Sequence, residues 1–320
     1  MSYADQVFKK ICKDILENGT DTSGELVRPK WPDGTPSYTI KQFGVTNVYD
    51  LRKEFPAITI RPTGLKSCMD EILWIYQRKS NNIHDLKPHI WDEWADEKGS
   101  IGKAYGFQVG SKYIHHKKKV DPEYILNNKE KFTPETVAEA AEKLYSGNRD
   151  GVTMGIRMDQ MDAVLYDLKH NPFSRRIKIN LWNVKELYEM RLQPCCYDLT
   201  FNVTKEPGYD KLILNATLVQ RSQDMLAASN WNVAQYSILL MMVAQVSDMV
   251  PGKLLHVITD CHIYDRHVDF VKELLERPEH PAPKVYLNPE IKDFYKFTTK
   301  DLIIENYVTE PQIKNIPIAI

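Results

Sequence analysis

Apolar residues recur at Phe8, Ile11, Cys12, Ile15 and Leu16, the i, i+3, i+4, i+7, i+8 spacing of a helix with one buried stripe. Gly19 follows as a candidate helix stop. Leu65 to Gln77 reads as a second helix, with Glu71 set beside the apolar run Ile72-Leu73-Trp74-Ile75. Thr133 as N-cap, Pro134 at the first helical position, Val137 to Tyr145 as the body and Gly147 as the stop predict a third. Val233 to Val246 is apolar nearly all round, the pattern of a helix enclosed by the rest of the molecule. Elsewhere the period falls to two. Ile177, Ile179 and Leu181 alternate within residues 176–183, as do Tyr197, Leu199, Phe201 and Val203. Leu212 to Leu218 reads as a further strand after a Pro-Gly turn.

The connecting segments carry their own signals. Arg28-Pro-Lys-Trp-Pro-Asp-Gly-Thr-Pro36 is punctuated as a loop. Ile90 to Tyr105 is aromatic and acidic. Residues 111–157 change composition and include His115-His116-Lys117-Lys118-Lys119, a basic run that reads as a solvated loop. We take 111–157 as a surface insertion in a single domain spanning 1–320. Helices and strands are interspersed without a regular βαβ rhythm, which predicts an α+β fold.

Composition narrows the function classes. Hydrophobic residues are 42% and charged residues 27% of the 320, a balance that excludes a disordered chain or a fibre. Lys+Arg is 42 against 43 Asp+Glu, so no global basic excess points to DNA, RNA or an anionic membrane. Cys12, Cys68, Cys195, Cys196 and Cys261 form no CxxC pair, which argues against a disulfide framework and against a structural metal site. A reducing compartment fits them. The N-terminus has no signal-peptide pattern, and the most apolar run, Ile238 to Val246, is too short to span a bilayer. The expectation is a soluble cytoplasmic protein.

Several residue groups can carry chemistry. Cys195, after Pro194 and ahead of a strand, is either a thiol exposed for reaction or a small buried hydrophobe. It follows a helix-like segment ending near Leu192. Arg175-Arg176 after Ser174, and Gln220-Arg221-Ser222 at a strand end, suit either a phosphate clamp or surface ion pairs. Asn232 opens the enclosed helix, where a carboxamide either reads a uracil edge or caps the helix. His262 and Tyr264, two apart in an extended segment, share a face and suit a sugar hydroxyl. No P-loop, GxGxxG or GxSxG motif is present.

In this order and spacing the segments resemble thymidylate synthase of the folate-reducing kind, over residues 5 to 320. The resemblance rests on Glu71-Ile-Leu-Trp74, Ile90-Trp-Asp-Glu-Trp94, Tyr105-Gly106, Ser174-Arg-Arg176, Pro194-Cys195, Gln220-Arg-Ser-Gln-Asp224, Asn232-Val-Ala-Gln-Tyr236, Asp260-Cys-His-Ile-Tyr264 and Pro317-Ile-Ala-Ile320. It implies a large twisted mixed sheet packed with helices, an obligate homodimer, and conversion of dUMP to dTMP with 5,10-methylenetetrahydrofolate as co-substrate and no metal. Cys195 would add to uracil C6, which activates C5. Glu71 and Tyr105 would manage protons, and Asn232 would read uracil. Arg221, Gln220 and Ser222 would hold the nucleotide, with Arg175 and Arg176 donated to the partner's site. His262 and Tyr264 would hold the deoxyribose. Trp91, Trp94, Asp224 and Ile320 would meet the folate.

The chain also departs from the pattern. Cys196 follows the nucleophile where His is common. Ala227-Ala-Ser-Asn-Trp-Asn232 replaces Leu-Gly-x-Pro-Phe-Asn, so Ala228 takes the place of a flexible Gly, and Thr259 also stands where Gly is usual. Gly34 falls near the place of an N-terminal phosphate arginine, for which Arg28, or else Lys30, would substitute. Around Arg61 the family's basic run is missing, which weakens contacts to a folate tail. Two rivals stand beside this reading. One is a dUMP or dCMP 5-hydroxymethylase on the same fold, which would quench the reactive methylene with water. The other is a catalytically dead nucleotide- or RNA-binding relative.

Overall fold

A computed structural model of the chain describes residues 1–148 and 150–320. In chain order the helices are α1 (Tyr3–Asn18), α2 (Leu65–Ile72), α3 (Gly106–Gly110), α4 (Pro122–Asn127), α5 (Pro134–Tyr145), α6 (Gln160–His170), α7 (Ser229–Val246) and α8 (Val268–Glu276). The strands are β1 (Thr20–Asp21), β2 (Thr39–Asp50), β3 (Tyr113–Val120), β4 (Val152–Met158), β5 (Lys178–Asn180), β6 (Cys196–Thr204), β7 (Ile213–Asp224), β8 (Val250–Tyr264), β9 (Lys284–Leu287) and β10 (Leu302–Glu305).

The main sheet has the order β1-β2-β8-β7-β6-β5. Every pairing in it is antiparallel except β7 with β8, so the sheet is mixed. Parallel neighbours need a long crossover, and α7 supplies it. That role explains its nearly unbroken apolar sequence: Val233, Ala234, Tyr236, Ile238, Leu239, Leu240, Met242, Val243 and Ala244 are all buried. Helix α1 is amphipathic as its spacing predicts, burying Phe8, Ile11, Cys12 and Ile15. Gly19 ends it, but with φ −71° rather than in the left-handed region. A side chain there is excluded by space, since a Cβ would sit 2.4 Å from the Ile15 carbonyl oxygen and 2.7 Å from Ile40 Cγ2.

Two irregularities lie where chemistry was expected. Helix α2 widens into a π-helical turn over Leu73–Gln77, directly after Glu71. Strand β6 pairs Cys196 with Gln220 but Asp198 with Val219, a bulge that frees the chain next to Cys195. The predicted strand at 176–183 is shorter, Lys178–Asn180. The helix-like segment ahead of Cys195 contracts to a single 3₁₀ turn, Leu187–Glu189.

Strands β3 and β4 with helices α4 and α5 build a small lobe. Strands β3 and β4 pair antiparallel, and α4 and α5 cover them around a separate core of Ile125, Ala140 and Val152. The expectation of a loop for the basic run is corrected here. Lys117, Lys118 and Lys119 lie in β3 opposite Gly155, Met154 and Thr153, because pairing with β4 holds them extended. Their side chains are exposed. No helix is long and apolar enough to cross a membrane among the described residues.

Candidate active site

Cys195 sits in the loop entering β6 and is partly exposed, whereas Cys12, Cys68, Cys196 and Cys261 are buried. Four hydrogen bonds fix that loop. Arg221 Nε donates to the Pro194 carbonyl at 3.1 Å and its Nη2 to the Gln193 carbonyl at 2.8 Å. The Arg221 amide donates to the Cys195 carbonyl at 3.0 Å. The Cys195 amide donates to the Tyr105 hydroxyl at 3.1 Å. Burial pushes the Cys195 thiol above its ordinary value, and the positive charges of Arg221 and Arg28 work against that push. Burial drives Cys196 well above the thiol range, with the negative charges of Cys195 and Glu71 adding to the effect. Of the adjacent pair, Cys195 is therefore the one open to solvent and to cations.

Tyr105 reaches this loop from a strained backbone, φ 44° and ψ −102°, a region that non-glycine residues seldom occupy. The following Gly106 permits it. A Cβ on that residue would lie 2.0 Å from the Ser80 carbonyl oxygen. Tyr105 packs edge-on against Trp91, with centroids 4.9 Å apart. Trp91 packs in turn against Trp94 at 5.8 Å.

Glu71 is 5% exposed at the end of α2. Burial raises its carboxyl, offset in part by indole donors: Trp231 Nε1 to Oε2 at 2.7 Å and Trp91 Nε1 to Oε1 at 2.9 Å. Asn232 lies inside the first turn of α7, behind the Ala228 cap, which removes the N-cap alternative. Its Oδ1 accepts from Gln220 Nε2 at 3.1 Å and its Nδ2 donates to Gln235 Oε1 at 3.0 Å. Gln220 is oriented by a 2.8 Å bond between its Oε1 and His256 Nε2. Burial depresses His256 to about 4, so its ring is neutral and donates.

An open cleft of about 310 Å³ runs past this group. Arg28, Lys41, Arg221, Ser222, Asp260, His262 and Tyr264 are among its lining residues. The β7–β8 register sets Ser222 against Asp260 and Asp224 against His262. His262 and Tyr264 lie ring to ring at 4.9 Å, with His262 Nδ1 on Asp260 at 2.7 Å. Arg28 thus shares the cleft with Arg221, while Gly34 is not among the residues lining it. Lys30 exchanges backbone hydrogen bonds with Ile320 at 2.8 and 2.9 Å.

Asp224 is partly buried beside His267, whose Nδ1 lies 3.6 Å from Oδ1. Burial opposes the carboxylate, but His267 and His262 outweigh it and hold Asp224 below its ordinary range. The amides of Leu226 and Ala227 also donate to Oδ1, at 2.8 and 3.1 Å, and Oδ2 faces no protein donor among the described bonds. His267 Nε2 bonds the Pro317 carbonyl at 2.8 Å and so joins Asp224 to the C-terminal segment.

Of the expected site residues, Arg28, Arg221, Ser222, His262 and Tyr264 line this cleft; Cys195 and, through it, Tyr105 are tied to Arg221, and Asn232 is tied through Gln220 to the Ser222 carbonyl. Arg175 and Arg176 are exposed, line no part of the cleft, and pair with no carboxylate among the described residues. Arg61 is buried and its guanidinium bonds the Leu226 carbonyl, so it is not available to a folate tail. Ala228, at φ −118°, needs no glycine.

The thymidylate synthase family model matches residues 6–319. The chain belongs to the thymidylate synthase family. It is 37% identical to thymidylate synthase 1 of Bacillus subtilis (strain 168) over 311 residues, covering 96% of each chain. The thymidylate synthase of Bacillus phage phi3T is 36% identical over the same coverage. The solved thermostable thymidylate synthase A from Bacillus subtilis superposes with a TM-score of 0.78, covering 99% of both chains at 34% identity. This thymidylate synthase fold accounts for the mixed sheet and for the enzyme class, a methyltransferase. Within the site, sequence reasoning did not single out Trp231, His256 or His267. Trp231 was visible only as a departure from Pro-Phe, and the two histidines carried no motif signal.

Proposed function

We propose that this chain makes dTMP from dUMP with Cys195 as the nucleophile, and that the roles divide as follows. Cys195 adds to uracil C6, which turns C5 into an enolate carbon able to attack an electrophile. The folate co-substrate supplies the one-carbon unit and the hydride. Arg221 and Arg28 neutralise the phosphate and favour the thiolate, and Ser222 adds a hydrogen bond. Asn232 keeps one lone pair on Oδ1 and one proton on Nδ2, which complements N3–H and O4 of uracil. His262 and Tyr264 face the deoxyribose, Glu71 and Tyr105 handle protons, and Trp91 with Trp94 keeps water from the reacting carbon. Asp224 offers Oδ2 to the pterin, and the Ile320 end covers the bound ligands.

The protein acts as a homodimer in which Arg175 and Arg176 serve the partner's phosphate site. Their exposure away from the chain's own cleft supports this. Residues 111–157 form a surface insertion on a single domain. Five free cysteines fit a cytoplasmic setting.

The observation that carries this reading is the lone partly exposed cysteine, tied to Tyr105 and to Arg221, which together with Arg28 lines an open cleft. The test is capture of 5-fluoro-dUMP with methylenetetrahydrofolate, read by mass on the intact chain, together with release of dihydrofolate from dUMP. Cys195→Ser should form no adduct and Cys196→Ser should still form one. Adduct on Cys196, or turnover without dihydrofolate, would reject the assignment. The second outcome would identify a hydroxymethylase.

A further inference from the structure

Glu71 is enclosed by groups that carry no positive charge. The titratable side chains facing it are Cys68 and Tyr76 from its own helix, Tyr105 from the segment before α3 and Cys196 at the start of β6. Burial pushes all four upward, so they are neutral at ordinary pH. No cation is among them in the described residues. What offsets the burial of the carboxylate is hydrogen bonding, from Trp231 first, then Trp91 and last Gln235, and the two direct bonds come from the tryptophans. An indole N–H is a donor only. It can bond a carboxylate oxygen but can accept nothing from a protonated acid.

The two indoles approach from different parts of the chain. Trp91 belongs to the aromatic segment ahead of Tyr105 and meets Oε1. Trp231 belongs to the first turn of α7 and meets Oε2. That turn is held rigidly by its neighbour: Asn230 Nδ2 donates to the Pro56 carbonyl at 3.1 Å, and Asn230 Oδ1 accepts from the Ile58 amide at 3.2 Å and Thr63 Oγ1 at 2.8 Å. Asn230 is 5% exposed, so these bonds are shielded from water. The ring of Trp231 also packs over Gly64, where a Cβ would already be in contact at 3.5 Å. One indole on each oxygen fixes the plane of the carboxylate.

We propose that Trp231 is a positioning residue for the reaction, acting with Trp91 as a two-sided clamp that sets the orientation and the protonation of Glu71. Asn230-Trp231 stand where the family commonly has Pro-Phe, and a Phe there can pack but cannot donate. The proton inventory of Glu71 in this enzyme is thereby set by its own α7 sequence. The proposal rests on the proton-handling role assigned to Glu71, and the tests separate the two.

Trp231→Phe keeps the ring and deletes the donor. A bond to a charged group lost from a buried carboxylate should move the acid limb of the kcat/KM profile upward by about one pH unit. KM for dUMP should change little. Trp231→His, which can again present a ring N–H, should bring the limb back towards the parent. A second measurement needs no variant. In the intact enzyme the indole N–H resonances of Trp231 and Trp91 should shift together through one titration, and that titration should vanish in Glu71→Gln. If Glu71→Gln is fully active, the role of Glu71 fails. If Glu71→Gln is inactive but Trp231→Phe leaves the acid limb in place, or the two indole signals do not titrate, the clamp is refuted.

Discussion

Arg221 has two separable functions in the geometry around Cys195, and one pair of substitutions divides them. It is a charge that opposes the burial of the thiolate, and it is a fork that ties the Pro194 and Gln193 carbonyls. Arg221→Gln removes the charge. At an effective dielectric of about 20, a guanidinium several ångströms from a thiolate contributes on the order of 2 kcal/mol. Cys195 is open to solvent on one side, so roughly half of that survives screening. The remaining ~1 kcal/mol corresponds to about a fivefold loss of thiolate at fixed pH. Arg221→Lys keeps the charge but loses the fork, which should cost about 1–2 kcal/mol in stability through the freed carbonyls. The assay is the rate of iodoacetamide alkylation at Cys195 across pH 6 to 10, beside the melting temperature. Burial keeps the thiol above its ordinary value, so the wild-type rate should still be climbing at the alkaline end. Arg221→Gln should displace the curve to higher pH. Arg221→Lys should leave the curve nearly in place while melting lower. If both variants alkylate at the wild-type rate at every pH, the electrostatic account of Cys195 is wrong.

Asn232→Asp should weaken dUMP and improve relative use of dCMP, because a mismatched buried polar pair costs about 1–3 kcal/mol; unchanged nucleotide preference in competition assays would count against Asn232 as the uracil reader. Mixing Arg176→Ala chains with Cys195→Ser chains should restore activity, since one site in the heterodimer has both wild-type groups, and no recovery after confirmed subunit exchange would exclude a shared site. His267 is raised despite burial, through Asp224 and the Pro317 carbonyl. A raised folded value stabilises below the unfolded value and is lost as pH rises through the folded one. The melting temperature advantage of the parent over His267→Phe should therefore shrink above about pH 6.5; a gap that is constant with pH would refute the ionic tether. Deleting Ile320 should spare dUMP binding and depress dTMP formation, read as kcat against Kd, and normal turnover with only a lower melting point would reduce the terminal contact to packing.

Local pattern revealed the elements whose environment is uniform. Helix α7 was legible because enclosure on all sides leaves no polar face, and β6 and β7 because one face of each is buried. The resemblance supplied the site residues, and five of them, Arg28, Arg221, Ser222, His262 and Tyr264, line the cleft. What stayed hidden depends on partners far away in sequence. The Lys117–Lys119 run resembles a loop until β4, more than thirty residues on, pairs with it. Arg61 offers a free cation on paper, but Leu226 occupies it. Ala228 suggested a stiffened loop, yet a flexible residue is needed only where φ is positive, and there it is not. Trp231 acquires its donor role only when α7 lies across α2, a contact that no spacing within either helix announces.

The register between β2 and β8 sets Thr39 against Tyr264 and Asp50 against Lys253. The sheet that carries His262 and Tyr264 thus pairs strands drawn from distant parts of the chain. During synthesis β2 leaves the ribosome early and waits, edge unpaired, for most of the polypeptide to follow. Strand pairings of such high contact order are slow and leave sticky edges exposed meanwhile. The cleft has no local precursor, because Arg28 precedes β2 while His262 and Tyr264 end β8. Ligand binding should appear in the last kinetic phase of refolding, and a nascent chain stalled before β8 should be a client for chaperones that shield strand edges.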